Sequence, residues 1–505
     1  MKLYRYIALI LTVAMLLLTC VACSNTDASK TDDIEKPSDT QKETEKETEK
    51  ETEKENGKEN GKNDNKVEAE APPETQKDIL DQLLSNGEDT AIIDVPFNED
   101  TLALAAKLPN FNGSEFSIKH IDMGDGSYLN VAKDATLEDY SDYLYNLYKA
   151  GFSYYTSNRI GNNFYATFAT QGQIVNAFYL AADKEVRVVV DDRTIFSLQG
   201  LQSENKYEDL GLNSLTVVAI AETGWPGGMG YVYELSDGSF FIIDGGYYNG
   251  SSVSSAEWLT KTLQQMASDP QNIRIAAWYI THPHEDHFGA YCAMAKKIEC
   301  RKTMTIEKMI VNVPADEHIE SANCSEIMSW FDSALNNWTP EQIVKAHPGQ
   351  KFYIADLTLT LYSSPDLVLP QNTVFTDIND LCNVAMVDYM GKRALFMGDS
   401  DVIPNPIIAR NYTTTLKADI LQLAHHGYGD TNAGVVYDYV HPTIVFWPVC
   451  DEHYNDGKGG GTQFVGFNQR FFADGIANYV ASDLNMTFTD FETWIPESQR
   501  WNPKQ

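Results

Sequence analysis

Three histidines and two carboxylates fill six consecutive positions, His282-Pro283-His284-Glu285-Asp286-His287, directly after the apolar run from Ile275 to Ile280. Imidazole and carboxylate at the spacing H-x-H-x-D-H share one chemistry, the holding of divalent cations. Alternation at a strand exit sends His282 and His284 the same way. Asp286 and His287 then fall on the turn that opens a helix expected around residues 289–297. Two imidazoles suit one borderline-soft ion, and a carboxylate with a third imidazole suits a second ion beside it. The bland alternative, histidines packed or solvated without a ligand, fits this density of ligand types poorly.

One loop cannot close two coordination spheres, so further ligands are expected at other strand ends. Two places fit. Residues 393–400, RALFMGDS, read as an apolar strand ending in Gly398-Asp399, where glycine lets the backbone approach closely and the carboxylate can bridge two ions. Residues 420–427, ILQLAHHG, end a second strand with His425 and His426. One of that pair can ligate while the other orients substrate or passes a proton. Their competing readings are a structural turn and two exposed histidines.

The order of Asp244-Gly245-Gly246, H-x-H-x-D-H, Gly398-Asp399 and His425-His426-Gly427 resembles the metallo-β-lactamase-fold hydrolases. Within them it is most similar to the branch containing the hydrolase domain of competence DNA-uptake proteins and phosphorylcholine esterase. The resemblance covers roughly residues 213–495. It implies an α/β fold, an αββα sandwich with a dinuclear site at one edge, holding two divalent metal ions that are usually zinc. It further implies that His282 and His284 hold the first ion and Asp286 and His287 the second, with Asp399 bridging and His425 completing the second site. Asp286 would also orient a hydroxide formed from a bridging water, and His426 would face substrate and protonate the leaving oxygen. Asp244 would support the metal loops. Many members supply a third histidine to the first ion, for which only His318 and His347 stand in the intervening region. The implied activity is metal-dependent hydrolysis, of a phosphodiester or phosphoester first. Hydrolysis of a thioester, lactone or sulfate ester and a non-catalytic surface binding role are the alternatives.

The elements that must position these groups are legible as alternating patterns. Residues 216–220, 230–235 and 240–243 read as strands, 254–266 as a helix, and the recurrence of strand followed by helix points to sheets covered by helices. Residues 78–205 read as a separate small α+β domain, with a helix over 137–148 ended by Gly151 and strands over 163–168 and 185–190. Its lone His120 reads as a surface or packed side chain. Tyr428, Trp447 and Tyr454 follow the last motif and could shape a pocket, with core packing the better role for Trp447.

The chain has 505 residues with a formal charge of -34, most of it beyond residue 78, and such a surface repels polyanions. A dedicated nucleic-acid groove is therefore discounted, and a small phosphodiester or an envelope polymer is the expected substrate. Residues 1–23 read as a lipoprotein-type signal peptide: Lys2 and Arg5 precede an apolar stretch, and Val21-Ala22-Cys23-Ser24-Asn25 resembles a bacterial lipobox. That places a lipid anchor on Cys23 and the protein at the cell surface, although Cys20 stands where Leu is usual. Residues 24–77 form a Glu/Lys-rich tether without an apolar stripe, expected to be disordered. Among the 7 cysteines no C-x-x-C pair occurs after residue 78, so neither a disulfide framework nor a thiolate zinc site is indicated.

Overall fold

The computed structural model describes residues 108–111, 116–123, 127–170, 172–191, 195–201, 207–219, 228–247, 255–313, 318–319, 329, 333–335, 338–339, 341–370, 374–455, 461–481 and 484–497. The segments expected to be a signal peptide, a lipid anchor at Cys23 and a tether lie outside these residues. So does the side chain of His120. Among the described residues no helix is long and apolar enough to cross a membrane.

The first strands, β1 (Ile118–Asp122) and β2 (Tyr128–Ala132), precede helix α1 (Leu137–Lys149). Thr136 caps α1 through a capping box with Asp139, and Gly151 follows its end with φ +95°, as the sequence pattern predicts. Strands β3 (Ser153–Ile160), β4 (Asn163–Ala169), β5 (Ile174–Leu180) and β6 (Glu185–Asp191) complete an antiparallel sheet in the order β1-β2-β6-β5-β4-β3. One face buries Val175, Val186 and Val188 against Tyr140, Tyr143 and Leu147 of α1. The other face does not meet solvent. Leu129, Tyr165, Phe178 and Val189 join a core with Leu395, Ile408 and Tyr412 from the C-terminal half.

A mixed sheet follows. Strands β7 (Ser214–Val217), β8 (Gly230–Glu234) and β9 (Phe240–Asp244) pair antiparallel, and after helix α2 (Ser255–Met266) strand β10 (Ile273–Tyr279) lies parallel to β9. Helix α3 (Glu285–Lys296) leads to β11 (Met304–Ile306), β12 (Met309–Val311) and β13 (Ile343–Lys345), all on the parallel side. The second sheet runs in chain order through β14 (Lys351–Ile354), β15 (Leu357–Ser363), β16 (Val384–Tyr389) and β17 (Lys392–Phe396), all antiparallel. Helix α4 (Pro404–Tyr412) precedes β18 (Ile420–Gln422), helix α5 (Gly434–Val440) precedes β19 (Ile444–Trp447), and β20 (Ala477–Val480) closes the parallel side. Strand β21 (Met486–Phe488) returns to the first sheet beside β7.

Period-two alternation explains the layering. In β9, Phe241 and Ile243 enter the core between the sheets while Phe240 and Ile242 pack outward against Trp258 and Leu259 of α2. In β17, Ala394 and Phe396 face the same inter-sheet core, and Leu395 faces α4. The result is an αββα sandwich, the fold class the sequence implied. The antiparallel sheet of residues 118–191 packs against its second outer layer.

Candidate metal centre

Four strand ends meet at one edge of the sandwich. Strand β9 ends in Asp244, fully buried with φ +52°, and β10 runs through Thr281 into His282 and His284. Helix α3 begins at Glu285, four residues before the onset expected near Gly289, so Asp286 and His287 sit in its first turn. Beyond β17 comes Gly398, with φ +53°. A Cβ there would fall 2.5 Å from Cys382 Sγ and 2.9 Å from Thr281 Cβ, so only glycine fits before Asp399. After β18, His425 and His426 both adopt left-handed backbone, φ +45° and +54°.

The side chains form two sets that share Asp399. In one set the ligand atoms of His282, His284 and Asp399 lie within 4.8 Å of one another, and in the other those of Asp286, His287, Asp399 and His426 do. Asp399 Oδ2 stands 3.1 Å from His287 Nε2, 3.3 Å from His426 Nε2 and 3.9 Å from His282 Nε2. Asp286 Oδ2 is 3.0 Å from His426 Nε2.

Hydrogen bonds on the far side of each ring fix which nitrogen faces the cluster. His426 Nδ1 lies 2.6 Å from the carbonyl of Pro448, which only accepts, so Nδ1 carries the proton. His287 Nδ1 lies 2.7 Å from the Asp244 carboxylate in the same sense. Thr281 Oγ1 donates to Asp244 Oδ2 at 2.7 Å, which leaves its lone pair for His282 Nδ1 at 3.1 Å. The Nε2 atoms of His282, His287 and His426, with Asp399 Oδ1, are consequently buried without a hydrogen-bond partner. Buried imidazole Nε2 atoms converging on carboxylates fit a cation held between them, whether protons or a metal ion.

The electrostatics agree. Burial opposes protonation of His426, but Asp399 and Asp286 outweigh it and push the group up to about 10. Burial also opposes protonation of His287, yet Asp399, Asp286 and Asp244 hold it well above the usual imidazole range. His282 is held well below that range by burial and by the neighbouring His287 and His284. Burial alone would raise Asp399, but His287 and His426 keep it well below the carboxylate range. Protons thus occupy places that a divalent cation would take over.

Six of the seven expected site residues, His282, His284, Asp286, His287, Asp399 and His426, converge here. His425, named for the second ion, belongs to neither set. Its ring is half-buried, with Nε2 3.4 Å from Asn379 Nδ2. His426, named as the substrate-facing proton donor, takes the inward place, and its Nδ1 is committed to Pro448. The left-handed turn at both residues sends the pair to different sides, and sequence alone could not tell which one enters. His318 and His347, the candidates for a third ligand of the first ion, also lie outside both sets. His347 is clamped between Asp191 and Asp366 at 2.6 Å on each ring nitrogen, within the joint to the N-terminal sheet. Trp447 is core, stacked on Phe472, met edge-on by Tyr454 and bonded to Asn478, whereas Tyr428 stands half-buried beside His425.

Sequence reasoning missed the residues that hold the loops. Gln422 accepts the amides of Met397 and Gly398 at 2.8 Å each and donates to Gly398 O at 3.1 Å, pinning the Asp399 loop to β18. Asn383 donates to Thr281 O and Asn312 O, both at 2.8 Å. A buried amide at a strand end was the available signal.

No protein-family model matches this chain, and no curated protein does. Among solved structures it is similar to CmlA, a diiron beta-hydroxylase from Streptomyces venezuelae, at 13% identity over 48% of this chain and 45% of that one, TM-score 0.27. It is similar to Zn(2+)-bound PqqB from Methylobacterium extorquens at 10% identity over 42% and 72%, TM-score 0.27. An archaeal metallo-beta-lactamase superfamily protein from Sulfolobus tokodaii matches at 15% identity over 45% and 84%, TM-score 0.27. The match spans less than half the length of CmlA.

Proposed function

We propose that this protein is a metal-dependent hydrolase of the metallo-β-lactamase type that cleaves phosphoric esters, phosphodiesters before monoesters. The observation that carries the reading is the trio of buried, unpartnered Nε2 atoms on His282, His287 and His426 around Asp399. His282, His284 and Asp399 would hold one divalent ion, and Asp286, His287, Asp399 and His426 a second, with zinc suited to this nitrogen and oxygen donor set. Paired cations, when bound, acidify a water and stabilise negative charge developing on the ester.

The chain's own residues supply the rest. Asp244 and Thr281 fix His282 and His287 in the tautomer that presents Nε2. Asp286 completes the second set and orients the attacking oxygen. Tyr428, half-buried beside His425 and His426, would contact the bound substrate. Two adjoining sets sharing one carboxylate favour a phosphodiester, whose two oxygens can each be engaged. The charge of -34 disfavours a long polyanion. We further propose that Cys23 tethers the enzyme to the outer side of a bacterial membrane.

The test is turnover of bis-p-nitrophenyl phosphate by zinc-loaded protein, beside a thioester, a lactone, a sulfate ester and a chromogenic cephalosporin. Asp286→Ala and His284→Ala should each abolish phosphodiester cleavage with circular dichroism unchanged. Preference for any other ester, or wild-type turnover in either variant, overturns the reading.

A further inference from the structure

Three loops converge around His425 beside the metal centre. One carries Asp377, Asn379 and Asp380 ahead of β16, one carries Asp401 two residues beyond Asp399, and one carries Asp430 beyond Gly427. Asn379 Nδ2 lies 3.4 Å from His425 Nε2, and His425 Nδ1 lies 4.0 Å from Asp430 Oδ1. Asp380 Oδ1 accepts the amide of Ile403 at 3.0 Å, which ties the first loop to the second. The Asp401 carboxylate lies in the field of Asp380, Asp377 and Asp430, and His284 in that of Asp377, so the recess adjoins the first ligand set. Among the described residues no lysine or arginine pairs with any of the four aspartates.

Two oxygens in this recess are orphaned. Asp401, 8% exposed, leaves Oδ1 buried without a partner, and Asn379, 2% exposed, does the same with its Oδ1. Buried acceptors are ordinarily satisfied, so these two are built to receive donors from outside the chain. A further metal ion is a poor fit. A hard cation wants several oxygens converging at about 2.3–2.6 Å, and none of these carboxylates belongs to a convergent trio of ligand atoms among the described residues. A group that brings its own N–H donors and a positive charge tolerates the wider spacing.

We propose that this recess binds the protonated primary amino group of the substrate, which makes the substrate a zwitterionic aminoalkyl phosphodiester. Its phosphate sits at the Asp399 centre and its ammonium between Asp401 Oδ1 and Asn379 Oδ1. A quaternary ammonium, lacking N–H, leaves both acceptors unsatisfied. A zwitterion also carries no net charge for a surface of -34 to repel. This assignment rests on the phosphoester reading above.

Zinc-loaded full chain is assayed on p-nitrophenyl 2-aminoethyl phosphate, p-nitrophenyl ethyl phosphate and the N-trimethyl analogue of the first. The expected kcat/KM on the aminoethyl ester exceeds that on the ethyl ester by on the order of 10-fold to 100-fold, as for a charge-assisted hydrogen bond, with the trimethyl analogue close to ethyl. Asp401→Asn shrinks the aminoethyl-to-ethyl ratio, and so does Asp430→Asn, an exposed rim position where folding is not at stake. A wild-type ratio near one, a ratio unmoved in both variants, or preference for the trimethyl analogue overturns the proposal. Saturation-transfer NMR with ethylammonium separates the two claims. Ethylammonium binding that Asp401→Asn removes, without turnover of any phosphodiester, upholds the recess and sinks the phosphoester reading. Turnover of the diesters without ethylammonium binding does the reverse.

Discussion

Replacing His347 by glutamine removes the charge that joins the N-terminal sheet to the sandwich. His347 is fully buried, with Nε2 2.6 Å from Asp191 of β6 and Nδ1 2.6 Å from Asp366 of the sandwich, and Lys345 Nζ reaches Asp191 at 3.4 Å. Burial opposes its protonation, but Asp191 and Asp366 outweigh that and push it from 6.5 up to about 9. The folded value lies above the unfolded one. The stabilisation is therefore whole below about pH 6.5 and is lost as pH rises through about 9. A difference of about 2.5 pKa units corresponds to about 3 kcal/mol at 1.36 kcal/mol each. At pH 6, His347→Gln also leaves two buried carboxylates facing each other, a loss of about 3–5 kcal/mol of the kind seen when one partner of a buried pair is removed. Urea unfolding of wild type and His347→Gln at pH 6 and pH 10 should give a stability gap about 3 kcal/mol larger at pH 6. The double variant Asp191→Asn/His347→Gln should recover part of the loss. An equal gap at both pH values would refute the charged clamp.

Asp244→Asn keeps the shape beside His287 but loses the carboxylate that holds its tautomer, so zinc affinity should fall by about 10-fold to 100-fold in chelator competition. Unchanged affinity would mean that Asp244 serves only packing. His426→Ala should lower zinc content where His425→Ala leaves it at the wild-type value, as read by elemental analysis, and the opposite pattern would restore His425 as the ligand. Gly349→Ala forces a Cβ to within 1.9 Å of Tyr165 Cγ at a backbone φ of +82°. A thermal melt should show destabilisation of more than about 2 kcal/mol, and a wild-type melting temperature would show that the two sheets are not locked there.

The sandwich was readable because its strands bury both faces. Runs such as Phe240-Phe241-Ile242-Ile243 are apolar throughout, and each is followed by a helix with its own apolar stripe. The H-x-H-x-D-H loop was readable because ligand types crowd into one turn. The choice between His425 and His426 was not, since it depends on two consecutive left-handed residues that propensity does not foretell for histidine. Helix α3 starts earlier than the apolar pattern suggests because His284, Glu285 and Asp286 carry no hydrophobic period. His347 stands directly before Pro348-Gly349, a dipeptide typical of turns, so its sequence neighbours give no sign of a buried charge. Its partners, Asp191 and Asp366, lie 156 and 19 residues away, and nothing local announces such a contact. The burial of the N-terminal sheet on both faces was hidden for the same reason, as its second partner surface comes from helices more than 200 residues later.

Anomalous diffraction at the zinc edge from crystals of zinc-loaded protein tests the central claim most directly. Two peaks are expected about 3.5–4 Å apart at the Asp399 edge, one against His282 and His284, the other against Asp286, His287 and His426. A vacant edge, or a second peak seated on His425, would contradict the account.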